Sequence, residues 1–168
     1  MVITHAEHDA LIRRFYAAFD ARDGATMAAA YAPDVHFSDP VFQDLHGPEA
    51  GAMWIMLTSR AKDLSVKLVA HEAHEHRGSA HWTADYTFAQ TGRRVHNDVH
   101  AEFTFVGGLI HTHHDRFSFH GWTRQALGPV GLLLGWTPLI QGKVRRQARA
   151  GLDAAMAEPG ATPAAPAS

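Results

Sequence analysis

The sequence has 168 residues, of which 46% are hydrophobic and 19% charged, so its length and composition predict one ordinary globular domain. Lysine and arginine total 15 against 17 aspartate and glutamate residues, a balance that does not favour a nucleic-acid-binding protein. No cysteine is present, which excludes disulfides, thiolate metal sites and cysteine nucleophiles. Because residues 1–7 lack a signal-peptide pattern and no uninterrupted apolar run reaches about 18 residues, we expect a cytoplasmic location.

The first part of the chain predicts three helices and one short strand. Apolar residues recur at three- and four-residue spacing within 6–23, which indicates an amphipathic helix. A second, short helix is predicted over 25–32, and a strand over 35–38 that Pro40 ends. A third helix is predicted to open at 47–49, where a proline suits the first turn.

Four strand-like runs follow, over 65–76, 80–90, 94–106 and 109–119, with turn-forming glycines between them. In the third run apolar and polar side chains alternate, which predicts one buried side and one solvent-facing side. This order of elements predicts an α+β fold: a cone-shaped, curved antiparallel sheet with three helices on its concave face. We expect an apolar pocket between the two layers.

Beyond the sheet, residues 127–140 are apolar but interrupted by glycine and proline, and residues 143–156 have the pattern of a basic amphipathic helix. We therefore divide the chain into a domain over 1–126, a C-terminal segment over 127–157 and a tail over 158–168. The Ala/Pro/Ser composition of the tail predicts disorder. The segment could fold over the pocket, pack on a second subunit or touch a membrane, and we prefer the first two because the apolar run is short.

Residues 36–41, which read His-Phe-Ser-Asp-Pro-Val, resemble the ketosteroid isomerases and SnoaL-like polyketide cyclases of the nuclear transport factor 2-like superfamily. Residues 21–24, Ala-Arg-Asp-Gly, and the spacing from Gly92 to Phe103 add to the resemblance, which covers roughly residues 8–120. The resemblance implies the cone fold of that superfamily. It does not imply one activity, because the superfamily hosts many.

The resemblance to the isomerases assigns their general base to Asp39. Their two oxyanion-hole donors fall on Phe15, which has Tyr16 beside it, and on Ala101, and neither of these side chains can donate a hydrogen bond. Since loss of one such donor typically lowers the rate about 10²–10³-fold, steroid isomerisation by the usual mechanism is not predicted.

Residues 113–119, His-His-Asp-Arg-Phe-Ser-Phe, resemble the last strand of limonene epoxide hydrolases and polyketide cyclases. This resemblance implies a catalytic or pocket role for Asp115. The epoxide hydrolases also use an Arg-x-Asp motif on the preceding strands, whereas residues 83–85 here read Thr-Ala-Asp. The hydrolase triad is therefore incomplete.

Two carboxylates are the candidate catalytic groups. Asp39 follows a strand among aromatic residues, where desolvation would raise its pKa and suit it to general acid or base catalysis. Alternatively, Asp39 caps the turn before Pro40. Asp115 would share the chemistry, with His113 on the same side of the strand to orient it or share its proton; alternatively, Asp115 pairs with Arg116 or a neighbouring histidine.

The predicted pocket wall is mostly aromatic. The candidate substrate-binding residues are Tyr16, Phe15, Phe37, Trp54, Tyr86, Asn97 and Ala101. Tyr16 and Asn97 carry polar groups that could replace the missing oxyanion donors. Alternatively, Tyr16 belongs to the core and Asn97 is satisfied by a partner within the protein.

The 14 histidines raise the question of metal binding. Pairs two residues apart, at positions 74 and 76 and at positions 111 and 113, could chelate zinc. A closed site needs three or four ligands, however, and the sequence nominates no others. No metal or other cofactor is therefore predicted, and solvent-facing strand positions account for the histidines.

Two functions remain open from the sequence. The first is a cofactor-free acid/base enzyme, an isomerase, cyclase or hydrolase that acts on a small apolar substrate. The second is a non-catalytic module that holds an apolar ligand or pairs with another chain. The polar side of the third strand, with His96, Asp98, His100 and Glu102, predicts a homodimer through the outer face of the sheet.

Overall fold

Residues 5–158 are described by a computed structural model, in which six helices and six strands follow the order α1-α2-β1-β2-α3-β3-β4-β5-β6-α4-α5-α6. The helices are α1 (His5–Asp20), α2 (Gly24–Ala29), α3 (Pro48–Arg60), α4 (Phe119–Leu127), α5 (Pro129–Leu134) and α6 (Pro138–Ala157). The strands are β1 (Tyr31–Ser38), β2 (Leu45–His46), β3 (Ser65–Ala73), β4 (Arg77–Phe88), β5 (Arg93–Val106) and β6 (Leu109–Arg116). None of these helices combines the length and the apolar character needed to cross a membrane.

The strands form one sheet in the order β2-β1-β6-β5-β4-β3. β3 to β6 are the predicted antiparallel meander. β1 pairs parallel with β6, unlike the all-antiparallel sheet that the sequence predicted, because the chain crosses through α3 before the meander brings β6 beside β1. The sheet is curved and does not close, and the fold is the predicted α+β cone with a C-terminal helical extension.

Burial alternates along β5 as the sequence predicted. Val95, Val99, Ala101, Phe103 and Phe105 are buried. The side chains between them face solvent or are half-buried. Helices α1 and α3 cover the buried side, and their apolar side chains join all of these strand residues except Val95 in one core. Val95 packs instead in a second cluster with Trp122 and Ala126 of α4. Each large apolar side chain buried in this way contributes about 1.5–3 kcal/mol.

The boundary between α2 and β1 differs from the sequence prediction. The alanine-rich run over 25–32 favours a helix, but α2 ends at Ala29 and β1 begins at Tyr31. The Ile110 N–H donates to the carbonyl of Ala30, and Tyr31 lies opposite Ile110 in the sheet. Pairing with β6 therefore overrides the local helix preference.

The C-terminal part is more helical than the sequence predicted. β6 ends at Arg116, because Ser118 caps α4 by accepting a hydrogen bond from the Gly121 N–H. α5 forms within the interrupted apolar run, and α6 begins at Pro138, before the predicted start at 143. Of the predicted disordered tail, only Glu158 lies among the described residues.

Candidate functional site

A cavity of about 770 Å³ lies between the sheet, α3 and the C-terminal helices. Its volume is in the usual range of a small-molecule site. Apolar side chains dominate the wall, and its aromatic members include Trp54, Trp82, Tyr86, Phe88, Phe117 and Trp122. The helices α5 and α6 contribute Val130, Ile140, Val144 and Ala148, so the C-terminal segment folds over the pocket.

The structure divides the ten site residues predicted from the sequence into two groups of five. Asp39, Asp115, Trp54, Tyr86 and Asn97 line the cavity. His113, Tyr16, Phe15, Phe37 and Ala101 are core residues, at most 2% exposed, and lie behind the cavity wall. Phe15 and Phe37 each pack edge-on against Trp54, so they support the wall.

Asp39 follows the end of β1 and combines the two roles that the sequence left open. Its Oδ1 accepts hydrogen bonds from the N–H groups of Val41 and Phe42, at 2.6 and 2.5 Å, and so caps the turn. The same residue lines the cavity, and its Oδ2 has no hydrogen-bond partner among residues 5–158. One carboxylate oxygen is thus held by the protein while the other remains available.

Burial raises the pKa of Asp39 to about 7. The backbone hydrogen bond from Phe42 stabilises the anion and opposes this rise, whereas the negative charge of Asp115 adds to it. A carboxyl group with this pKa exists in both protonation states at neutral pH. It can therefore give or take a proton without a large free-energy cost.

Asp115, on β6, ends a buried chain of hydrogen-bonded side chains. The Trp54 indole N–H donates to the Tyr31 hydroxyl at 2.6 Å. The Tyr31 hydroxyl lies 2.7 Å from His113 Nδ1. His113 Nε2 lies 2.9 Å from Asp115 Oδ1. All four residues are at most 7% exposed, so these hydrogen bonds are shielded from bulk water.

These contacts fix the orientation of the Asp115 side chain. An indole can only donate, so the Tyr31 hydroxyl accepts from Trp54, and its second contact is with His113 Nδ1. His113 Nε2 in turn contacts Asp115 Oδ1. The histidine thus holds the carboxyl group in one orientation, as a second layer behind the cavity.

Tyr31 is the residue of this network that the sequence analysis missed, because its position was assigned to a helix. A strand begun at Tyr31 would have placed its ring on the same side as Val35 and Phe37, both of which are buried. That signal is weak on its own, since a single tyrosine after an alanine-rich run carries no spacing pattern.

Three side chains at the cavity wall or behind it carry polar groups that no residue between 5 and 158 satisfies. Asn97 lines the cavity, and its side-chain amide has no partner among residues 5–158. The Tyr16 hydroxyl and the Trp82 indole N–H are buried without a partner in the same part of the chain, and their rings are 5.7 Å apart. Burial, with a contribution from the charge of Asp115, holds the pKa of Tyr16 well above its usual value, so its hydroxyl stays protonated.

Two groups of side chains outside the cavity have the spacing of metal ligands. They are His36 with Asp44 and His46, and His81 with Asp98 and His100, each with its ligand atoms within 4.8 Å of one another. None of these six residues lines the cavity. They are also not the histidine pairs considered from the sequence. Histidine–aspartate contacts at the surface account for both groups.

Comparison with known proteins identifies the fold. An LEH-like epoxide hydrolase of M. tuberculosis superposes with a TM-score of 0.61 at 20% identity, covering 81% of this chain and 96% of that chain. A Catenulispora acidiphila protein with a ketosteroid isomerase-like fold, in complex with trimethylamine, gives 0.63 at 15% identity, covering 76% and 97%. TsrD from Streptomyces laurentii gives 0.64 at 22% identity, covering 75% and 98%.

At these identities the structural similarity shows the fold alone. No curated protein sequence matches the chain. The SnoaL-like domain, as a family model, matches residues 12–113, which is more than half of the chain. The protein therefore belongs to the SnoaL-like domain family.

Proposed function

We propose that this protein is a cofactor-independent acid/base enzyme, an isomerase, cyclase or hydrolase, that acts on a small apolar molecule in the cavity. One observation carries the proposal: two carboxyl groups, Asp39 and Asp115, line the same apolar cavity in different environments. Pairs of titratable groups in different environments are typical of acid/base sites. The aromatic wall favours a largely apolar substrate.

The two carboxyl groups have different tasks in this proposal. Asp39, with a pKa of about 7, exchanges a proton with the substrate through its free Oδ2. Asp115 is the second carboxyl group, and His113 fixes its orientation. The side-chain amide of Asn97 donates to a substrate oxygen in place of the oxyanion donors that are absent at Phe15 and Ala101.

A second function is favoured by the structural use of both carboxyl groups. Asp39 caps a turn and Asp115 binds His113, so each residue has a reason to be present without catalysis. On this reading the protein is a non-catalytic module that binds an apolar ligand. A homodimer through the outer face of the sheet is compatible with either function.

Turnover assays on epoxides, enones and polyketide-like esters, run on matched variants, test the proposal. Asp39→Asn keeps the Oδ1 acceptor and the shape of the side chain but removes the ionisable group. We expect it to lower turnover about 10²-fold or more, the usual contribution of a positioned acid or base. Asp115→Asn should also lower turnover. Ligand affinity, followed by the fluorescence of the cavity tryptophans, should change little in both variants.

Control substitution of Asp34, which is exposed and does not line the cavity, should leave turnover unchanged. If the wild-type protein binds members of the panel but turns none over, the ligand-binding module becomes the better account. Equal turnover by wild type and both asparagine variants would remove these carboxyl groups from the mechanism.

A further inference from the structure

The helices that cover the cavity also present an apolar face to solvent. Ten large hydrophobic residues of the described part of the chain are exposed, and six of them lie between positions 130 and 139. They are Val130, Leu132, Leu133, Leu134, Trp136 and Leu139, here called the apolar tip. Leu133, Trp136 and Leu139 are 67%, 64% and 75% exposed. A contiguous patch of this kind marks a surface that contacts another apolar phase.

The charged residues in the sequence around the apolar tip are all basic. Residues 117–152 contain no aspartate or glutamate but five basic residues, Arg124, Lys143, Arg145, Arg146 and Arg149. The whole chain has a net charge of −2, so this segment is +5 and the remainder is −7. The tip therefore lies in the one long stretch of the chain that is purely basic.

Three of these five basic side chains form no ion pair within the described part of the protein. Arg149 pairs with Glu49 and Asp153, and Arg145 donates to the carbonyl of Pro40. Arg124, Lys143 and Arg146 form no ion pair with any residue between 5 and 158.

Two of the free cations lie beside the tip. Lys143 and Arg146 follow Leu139 by four and seven positions on α6, so all three share one side of the helix. The guanidinium of Arg146 reaches back over Gly142, towards the tip.

We propose that the apolar tip, with Lys143 and Arg146 behind it, docks this protein on the surface of an anionic lipid bilayer. Leucine and tryptophan side chains suit the boundary between headgroups and acyl chains, and adjacent basic residues attract anionic headgroups. A symmetric contact between two copies would instead bring the unpaired cations together without an acidic partner. The protein would lie on the bilayer, because none of the described helices could span it.

Docking of this kind would place the entrance of the cavity at the lipid surface. Val130, Ile140 and Lys143 line the cavity and belong to the same helices as the tip. An apolar ligand dissolved in the bilayer would then reach the cavity without crossing water. The docking itself does not depend on whether the cavity is catalytic.

Co-sedimentation of the full chain with vesicles tests the proposal. We expect binding to vesicles of phosphatidylcholine mixed with phosphatidylserine, weak binding to phosphatidylcholine alone, and a loss of binding as salt rises well above about 0.1 M. The variant Leu133→Asp/Leu139→Asp should lower the bound fraction about 10-fold or more, and Lys143→Gln/Arg146→Gln should do the same. Both leucines are largely exposed, so the first variant should melt like the wild type.

Matched controls lie on the sheet, outside the C-terminal helices: Val106→Asp changes a 59% exposed apolar residue at the end of β5, and Lys67→Gln changes an exposed cation on β3. Both should bind vesicles like the wild type. Equal binding to both vesicle types, or no binding to either, would overturn the proposal. So would a dimer in light scattering that Leu133→Asp/Leu139→Asp converts to monomer, because the tip would then be a subunit interface.

Discussion

Asp39 combines, in one side chain, a turn cap and an ionisable group with a raised pKa, and substitutions can separate the two. In the unfolded chain its pKa lies near 3.9, and in the folded protein it is about 7. Between these values the unfolded chain loses its proton while the folded protein keeps it. The free energy of unfolding therefore falls as pH rises from about 4 to 7, and the loss is complete above about 7.

Asp39→Asn keeps the turn acceptor and removes this ionisation cost. Its melting temperature should exceed that of the wild type at about pH 8 and approach it near pH 4. Asp39→Ala loses both turn hydrogen bonds and should melt below Asp39→Asn at every pH. Calorimetry of the three proteins across this range measures both effects. An Asp39→Asn variant that is less stable than wild type at pH 8 would show that the carboxylate stabilises the fold.

Tyr31→Phe tests the buried hydrogen-bonded chain. The change leaves the Trp54 indole N–H and His113 Nδ1 buried without a partner, which should cost about 1–3 kcal/mol in urea denaturation. Trp54→Phe in the Tyr31→Phe background should cost less than it does alone, because its partner has already gone. Additive losses in this double-mutant cycle would mean that the hydroxyl does not couple the two residues.

Among the helices and strands, the sequence predicted those that have a repeating pattern of apolar residues. It did not predict a strand boundary that depends on one long-range contact. The alternation in β5 and the glycines at positions 107 and 108 were sufficient to predict β5, β6 and their turn. Both glycines have positive φ, as a tight hairpin requires. The start of β1 was missed because Tyr31 pairs with Ile110 of β6, which is far away in the chain, and local propensity carries no information on such a contact.

In the candidate site, too, the sequence predicted some residues and missed others. Asp39 and Asp115 could be predicted because each sits in a short motif, and both line the cavity. Tyr31 could not be predicted, and five of the ten predicted site residues, His113 and four wall candidates, lie in the core behind the cavity wall. The alternation of side chains along a strand shows which side of the sheet a residue faces. It does not show whether that residue lines the cavity or lies in the core behind it.

The close approach of α4 and α5 gives a test of the helical cover. A Cβ on Gly131 would lie 1.8 Å from the carbonyl oxygen of Thr123, which is backbone and cannot move aside without shifting α5. Gly131→Ala should therefore destabilise the protein by about 1–3 kcal/mol, as overpacked sites do.

Gly142→Ala, in α6, is the matched control for this test. The nearest atom to its added Cβ belongs to the flexible Arg146 side chain, at 3.2 Å. Helix propensity alone should make this variant up to about 1 kcal/mol more stable. Thermal denaturation of both variants compares them, and a neutral Gly131→Ala would contradict the packing of α5 on α4.

For the whole molecule, we predict a homodimer through the outer face of the sheet that weakens on acidification. His81, His96 and His100 lie on this face, close to Asp85 and Asp98. Acidification to about pH 5 adds positive charge to both copies of a symmetric, histidine-rich interface and should drive them apart. Light scattering at several pH values measures the mass, and a monomer throughout the range would contradict this interface.

The proposed function requires Asp39 to be a proton-exchanging carboxyl group in the apolar cavity that it shares with Asp115. A carbon-13 NMR titration of the Asp39 side-chain carboxyl tests it without a known substrate. We predict a midpoint of about 7, which shifts downward in Asp115→Asn because the neighbouring negative charge is removed. A midpoint near 3.9, the ordinary value of an aspartate, that Asp115→Asn leaves unchanged would contradict the account.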